Sequence, residues 1–141
     1  MFDQRQLLAT GDCLDTLPYR ERATIDLQKL REYVLNPEHE TGKHKARVFK
    51  SFLAIEQRHA ESLAAVIKGT LAQAVAEKGA HDQYGERWTT YHEIVGINAS
   101  VAIVSVGWIM KTEDPTTPVF LTCYVDPDRQ VELKRTLGRT S

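Results

Sequence analysis

Apolar residues recur at helical spacing along the first half of the chain, then at the shorter period of strands along the second. Leu27, Leu30 and Val34 form one stripe behind Asp26, a residue type that caps helix starts. They predict a helix that stops by Asn36, because the residue before Pro37 is pushed out of the α region. A second helix is predicted from about Lys43 to Leu53, with Thr41 or Gly42 as its cap. Projected at about 100° per residue, Val48, Phe49, Phe52 and Leu53 fall on one side of it, and Lys43, Arg47 and Lys50 on the other. A third helix, over about 60–78, carries Leu63, Val66, Ile67, Leu71, Ala74 and Val75 on one face and is stopped by Gly79.

The period then changes. Residues 87–95 are rich in Thr, Tyr, Trp, Ile and Val and read as a strand. Gly96-Ile97-Asn98 gives a turn, and residues 101–110, apolar on both faces, read as a central strand. A loop over 112–118 leads to a strand over 119–125, which Asp126-Pro127 ends. This pattern predicts an α+β fold, with N-terminal helices packed on a C-terminal antiparallel sheet of three to four strands. Residues 1–22 read as an N-terminal extension of loop with one short helix, 23–126 as a single α+β domain, and 127–141 as a polar tail with an amphipathic hint at Val131, Leu133 and Leu137. Tyr33, Val48, Phe49, Phe52 and Trp108 are expected to form the shared helix–sheet core.

At 141 residues, 42% hydrophobic and 26% charged, the chain has the size and balance of one globular domain. A net charge of −1 excludes a generally basic nucleic-acid coat, so any anion site must be local. Residues 43–50 supply that local excess, with four Lys/Arg and no Asp or Glu. Cys13 and Cys123 match no metal spacing and no disulfide framework, and Cys123, in an apolar run, is expected as a buried thiol. No apolar run reaches the length of a membrane span, and residues 1–10 lack the pattern of a signal peptide. The expected location is the cytoplasm, with no membrane partner, or a target cell's cytoplasm after delivery within a larger toxin.

Charge placement singles out the start of the second helix. Helix N-termini favour acidic side chains, yet Lys43, His44 and Lys45 crowd this one, and cations beside exposed N–H groups suit phosphate. Lys45 projects between Val48 and Phe49 and over Phe52, inside the apolar arc. It must snorkel past the core edge or sit in a partly closed pocket. His39 and His44 share the loop-to-helix turn, whereas His59, His81 and His92 are scattered, the first two expected at the surface. Zinc-type His and Cys spacings, phosphate-binding glycine loops and a nucleophile elbow at Ser105 are all missing from the sequence, so neither a metal nor another cofactor is expected.

Metal-independent phosphodiester cleavage fits what is left. It needs proton carriers and cations that hold the charge of a developing phosphorane. His39 and His44 suit the first role, and Lys45 and Arg47 the second. Thr122 and Tyr124, two apart on the last strand, point to one face and could position a phosphate. Lys43, Lys50, Tyr84 and Arg87 are candidates for holding the substrate, Tyr84 by stacking a base and Arg87 by clamping phosphate. Each has an ordinary reading: solvated surface lysines, Trp88 and Trp108 as core anchors, Thr122 as a strand former.

Leu30, Tyr33, Leu35-Asn36-Pro37, His39, Gly42 and Lys45-Ala46-Arg47-Val48-Phe49, followed by Tyr84-Gly85, Trp108 and Leu121-Thr122-x-Tyr124, resemble a bacterial family of unknown function. Its members look like small stand-alone proteins or C-terminal modules of polymorphic, phage-borne and toxin–antitoxin toxins, often encoded beside a small β-rich partner. By architecture the chain more distantly resembles the barnase–EndoU–colicin–RelE nuclease superfamily. His39, Lys45, Arg47 and Thr122 match the family pattern and His44 does not; Ala54, where a glycine is usual, and His59, where an acidic cap is usual, depart from it. The resemblance implies a ribonuclease toxin attacking RNA through the 2′-hydroxyl, with a cognate antitoxin or immunity partner. The alternatives are a non-catalytic binding module (immunity, phage-defence or adaptor) that uses the same basic helix, and an enzyme acting on small phosphorylated metabolites.

Overall fold

A computed structural model describes residues 16–126. Cys13, most of the expected N-terminal extension and the tail residues Val131, Leu133 and Leu137 lie outside them. The order of elements is α1 (Leu27–Lys29), a π-helical turn (Leu30–Val34), α2 (Lys43–Leu53), α3 (Ala60–Thr70), then β1 (Val75–Asp82), β2 (Gly85–Val95), β3 (Val101–Lys111) and β4 (Asp114–Val125). The four strands form an antiparallel meander in sequence order.

Asp26 does cap the first helix: its carboxylate accepts from the N–H groups of Gln28 at 3.0 Å and Lys29 at 3.3 Å. The chain then widens, with Leu35 N–H donating to the carbonyl of Leu30 at 3.0 Å, and stops before Pro37 as its backbone requires. Leu30 and Val34 are fully buried, and Leu17, near the start of the described chain, joins them in the core. In α2 the inward residues are Ala46, Phe49 and Leu53.

Three expectations need correction. Phe52 is 42% exposed, so the inward face of α2 is turned away from the predicted centre; Tyr33 and Val48 are partly buried against the core, while Phe49 and Trp108 are wholly inside it. The third helix ends at Thr70 rather than near 78, and β1 occupies the segment it was expected to fill. Pairing with β2 gives the backbone of residues 75–82 its hydrogen bonds, which outweighs an apolar spacing that only Ala76 turns into deep burial. The expected loop over 112–118 is mostly strand. Pro115 and Pro118 are tolerated there because β4 is an edge, where Thr24 N–H donates to Pro118 O at 2.9 Å.

The expected α+β layout is corrected accordingly. The helical half is shorter, the sheet has four strands and begins inside a segment assigned to helix, and among the described residues strand, about 39%, exceeds helix, about 32%. Helices in the N-terminal half followed by a four-stranded antiparallel sheet remain compatible with an α+β description.

β3 is buried on both faces. One face, carrying Ala102, Val104, Val106, Trp108 and Met110, belongs to the cluster shared with the helices. A polar chain is embedded in it. The Trp108 indole donates to Thr90 Oγ1 at 2.9 Å, Thr90 to His92 Nε2 at 2.8 Å, His92 Nδ1 to Thr70 Oγ1 at 2.7 Å, and Thr70 to the carbonyl of Val66 at 2.8 Å. A carbonyl only accepts, so the Thr70 proton goes to Val66 and His92 donates from Nδ1; the neutral ring then accepts from Thr90 at Nε2. Burial depresses the His92 pKa from its ordinary value to about 4.

Candidate functional site

The turn into α2 explains why Tyr33, His39, Gly42 and Lys45 occur at their spacing. Asn36 Nδ2 donates to Glu32 O at 3.0 Å and its Oδ1 accepts from Glu38 N–H at 2.9 Å, which closes one helix and bends the chain. His39 Nδ1 then accepts from the N–H groups of Thr41 at 3.1 Å and Gly42 at 3.0 Å, so its ring acts as a cap and holds its proton on Nε2. That ring and the Tyr33 ring meet edge to face, centroids 4.8 Å apart. Gly42 sits against the Tyr33 backbone so closely that a Cβ would come within 1.9 Å of its carbonyl oxygen. One turn on, Lys45 Nζ lies 5.4 Å from the centroid of the Tyr33 ring and 3.4 Å from its hydroxyl.

The expected set of free N–H groups at this helix start is therefore reduced: those of Thr41 and Gly42 go to His39 Nδ1, and that of Lys43 to His39 O at 3.0 Å. What the turn offers instead is a positioned ammonium. Lys45 is half-buried on the shoulder of the inward face, and its charge opposes the rise that burial imposes on the Cys123 thiol pKa. Cys123 itself is fully buried, as its apolar surroundings in the sequence imply.

Lys45 opens onto a cavity of about 420 Å³ between α2 and β4, lined by His44, Lys45, Val48, Thr122, Tyr124 and Val125. Four of the candidate residues thus meet there: His44, Lys45, Thr122 and Tyr124. The Thr122 hydroxyl is buried and has no hydrogen-bond partner. Tyr124 is 40% exposed at the rim. An ammonium, an imidazole, an unpaired hydroxyl and a phenol around one hollow can hold an anion and move a proton.

The other candidates lie elsewhere. His39 does not line the cavity and reaches it only through Tyr33. Lys43 and Arg47 are exposed, and Lys50 borders a separate cavity of about 300 Å³ with Leu35, Pro37 and Arg58. Among the described residues Lys43, Lys45, Arg47 and Lys50 make no ion pair. Tyr84 is 63% exposed at the β1–β2 turn, and Arg87 is held by Asp82 at 2.8 Å. Gly85, beside Tyr84, pairs with Lys111, whereas Thr122 pairs with Gly107, which puts the turn about 13 Å along the strands from the cavity. His81 is exposed as expected. His59 is half-buried, its Nδ1 accepting from Glu56 N–H at 2.9 Å in a capping box. Tyr33, expected only as core, is the residue that sequence reading missed; its signal was the fixed distance to His39 and Lys45. Among the described residues no group of three or more His, Cys, Asp or Glu could hold a metal ion, and no helix is long and apolar enough to cross a membrane.

Residues 16–127 match the family model described as Domain of unknown function (DUF6883), and the chain belongs to that family. Comparison with curated proteins returned no match. In fold the chain is similar to a chain of the contact-dependent growth inhibition toxin–immunity protein complex from Klebsiella pneumoniae 342, at 14% identity and a TM-score of 0.53, covering 72% of this chain and 98% of that one.

Proposed function

We propose that this DUF6883 member is a toxin that cleaves RNA without a metal, using the cavity between α2 and β4. The observation that carries the reading is the meeting of Lys45, His44 and the unpartnered Thr122 hydroxyl around one hollow, with the Lys45 charge balanced by no acid among the described residues. The fold likeness to a chain of a toxin–immunity complex supports a role in such a pair. In the proposed reaction His44 takes the proton of the 2′-hydroxyl, whose oxygen forms a bond to phosphorus. The bond from phosphorus to the 5′-oxygen breaks, and that oxygen receives a proton from Lys45; water then carries the proton held by His44 back to Lys45, which restores both groups. The products are a 2′,3′-cyclic phosphate and a 5′-hydroxyl. Lys45 and Thr122 hold the non-bridging oxygens as charge grows on them. The exposed stripe of Lys43, Arg47 and Lys50 suits an acidic immunity partner that would cover the cavity.

The second reading is a non-catalytic member of such a pair, since the similar complex contains both a toxin and an immunity protein. Induced expression in a bacterial host separates the two. Growth arrest with discrete RNA fragments ending in cyclic phosphates, unaffected by chelators in vitro, is expected of the toxin. Harmless overexpression with intact RNA would overturn that reading in favour of the second.

A further inference from the structure

Five residues at about 100° each put Lys50 about 140° around α2 from Lys45, so the two cations stand on opposite flanks of the helix. The solvent-facing arc between them carries His44, Arg47 and Lys43, all exposed. Each flank borders a hollow: the cavity of Lys45 on one side, and on the other a cavity of about 300 Å³ between α2, the turn at Pro37 and the tight turn over Gln57–His59 that leads into α3. The second has the size of a small-molecule pocket, and the two stand about one helix diameter, roughly 10 Å, apart.

The second cavity joins an apolar floor to a polar surround. Leu35 and Ala46, buried, and the Pro37 ring form the floor. Lys50 and Arg58 supply two cations. Lys50 makes no ion pair among the described residues. Arg58 meets Glu56 at 3.9 Å with both side chains well exposed, a pairing worth little. The remaining wall accepts hydrogen bonds. Gln57 Nε2 is spent on Arg31 O at 3.0 Å, which leaves its Oε1, and the Glu56 carboxylate keeps lone pairs beyond its capping bond to His59 N–H. Apolar contact, acceptors and cations around one hollow ask for a ligand with a flat apolar body, N–H donors on its edge and an anionic group.

We infer that this cavity is a second nucleotide subsite, in which an unstacked base of the RNA strand lies on Leu35, Pro37 and Ala46 and donates from its edge to Gln57 and Glu56, with its phosphate between Lys50 and Arg58. Single-stranded RNA suits such a site, because its bases, free of a duplex, offer a flat face and a polar edge together. The strand that reaches it from the Lys45 cavity crosses α2 over His44 and Arg47, which gives the exposed cations a backbone to follow. The inference rests on the reading of the Lys45 cavity as the site of cleavage, and adds that the protein holds a neighbouring nucleotide by its base as well as by its charge.

The test is an NMR titration of the full chain with 2′-O-methyl oligonucleotides, from a dinucleotide to about a hexanucleotide, which lack the attacking hydroxyl and stay intact. Every length should shift the methyl signals of Val48 and Val125 beside Lys45. Longer members should also shift those of Leu35 and Ala46 and bind about tenfold more tightly, the scale of one stacked base. Arg58→Ala, at a largely exposed side chain, should keep the fold, abolish the gain with length and leave the dinucleotide within about twofold. It should also make the logarithmic salt slope of the longer oligonucleotides shallower by about 0.7. Lys50→Ala should act in the same direction. Affinity independent of length, with the Leu35 and Ala46 signals unmoved, would overturn the subsite and leave the Lys45 site standing. A gain with length that survives both variants would overturn its location. Shifts at Leu35 and Ala46 caused by poly-glutamate and by no oligonucleotide would overturn the RNA assignment and give the cavity to an acidic protein partner. If no oligonucleotide moves the signals of either cavity, both readings fall.

Discussion

Lys45 and His39 lie six residues apart in one motif, yet their surroundings assign them different work. Lys45 contributes little to packing from the shoulder of α2 and has no ionic partner among the described residues. Lys45→Ala should therefore leave the melting temperature nearly unchanged while RNA cleavage falls by roughly a hundred- to a thousandfold, about 2.7–4 kcal/mol of barrier, by analogy with loss of one oxyanion-hole donor. Circular dichroism and a cleavage assay on the same preparation check both halves. His39 is a cap first. His39→Ala should cost about 1 kcal/mol in chemical denaturation, and His39→Asn, which keeps an acceptor on a short side chain, should recover most of it. Lys45, His44, Thr122 and Tyr124 could be picked out as candidates because charge and strand period are local, and the structure places all four around one cavity. The part played by Tyr33 could not be read, because its contacts join segments whose relative placement no periodicity encodes.

The end of α2 shows how an element can carry strain in plain view. Ala54 adopts a left-handed conformation, φ 56°, where its N–H donates to the carbonyl of Lys50 at 3.0 Å. That conformation costs an L-residue about 1–2 kcal/mol, and glycine avoids the cost but gives the unfolded chain more entropy to lose on folding. Ala54→Gly should thus stabilise the protein by about 0.5–1 kcal/mol, read as a higher urea midpoint at unchanged slope. The resemblance drawn from the sequence implies a glycine here, and the left-handed conformation is one that glycine adopts without strain. Misread elements have equally local causes. The run ending at Val75 keeps helical spacing, but a strand at the edge of a sheet needs no apolar alternation, so β1 left little trace. Phe52 was placed inward by centring an arc on one helix alone, whereas the packing of α2 against β4 sets the true rotation.

At the scale of the whole molecule, the buried chain from Trp108 through His92 to Thr70 ties the centre of the sheet to the end of α3. Its weak point is acid. The folded His92 pKa of about 4 lies below the ordinary 6.5, so the unfolded chain binds the extra proton first. The stability contributed by neutral His92 is complete above about pH 6.5 and is lost as pH falls toward 4. Across that window the loss from this group amounts to about 3 kcal/mol. Thermal melts between pH 7 and 4 should show that slope, and His92→Gln, which cannot titrate, should flatten it while lowering the plateau. The order of elements and three of the four strands could be read from the sequence. The polar chain could not, since its members are drawn from three elements and each alone looks like an ordinary residue of its kind.

The π-helical turn over Leu30–Val34 makes the site depend on counting as well as on chemistry. A turn of this kind holds one residue more than an α-helical turn, so everything beyond it is rotated by roughly 100° relative to an uninterrupted helix. Tyr33 owes its heading toward Lys45 to that surplus. Deleting Arg31, a partly exposed residue inside the turn, should restore ordinary helical bonding and let the chain fold, with a melting temperature within a few degrees of the parent. The ring would then face another way, and affinity for inorganic phosphate should drop as the lysine loses its support, although every side chain that touches the cavity is still present.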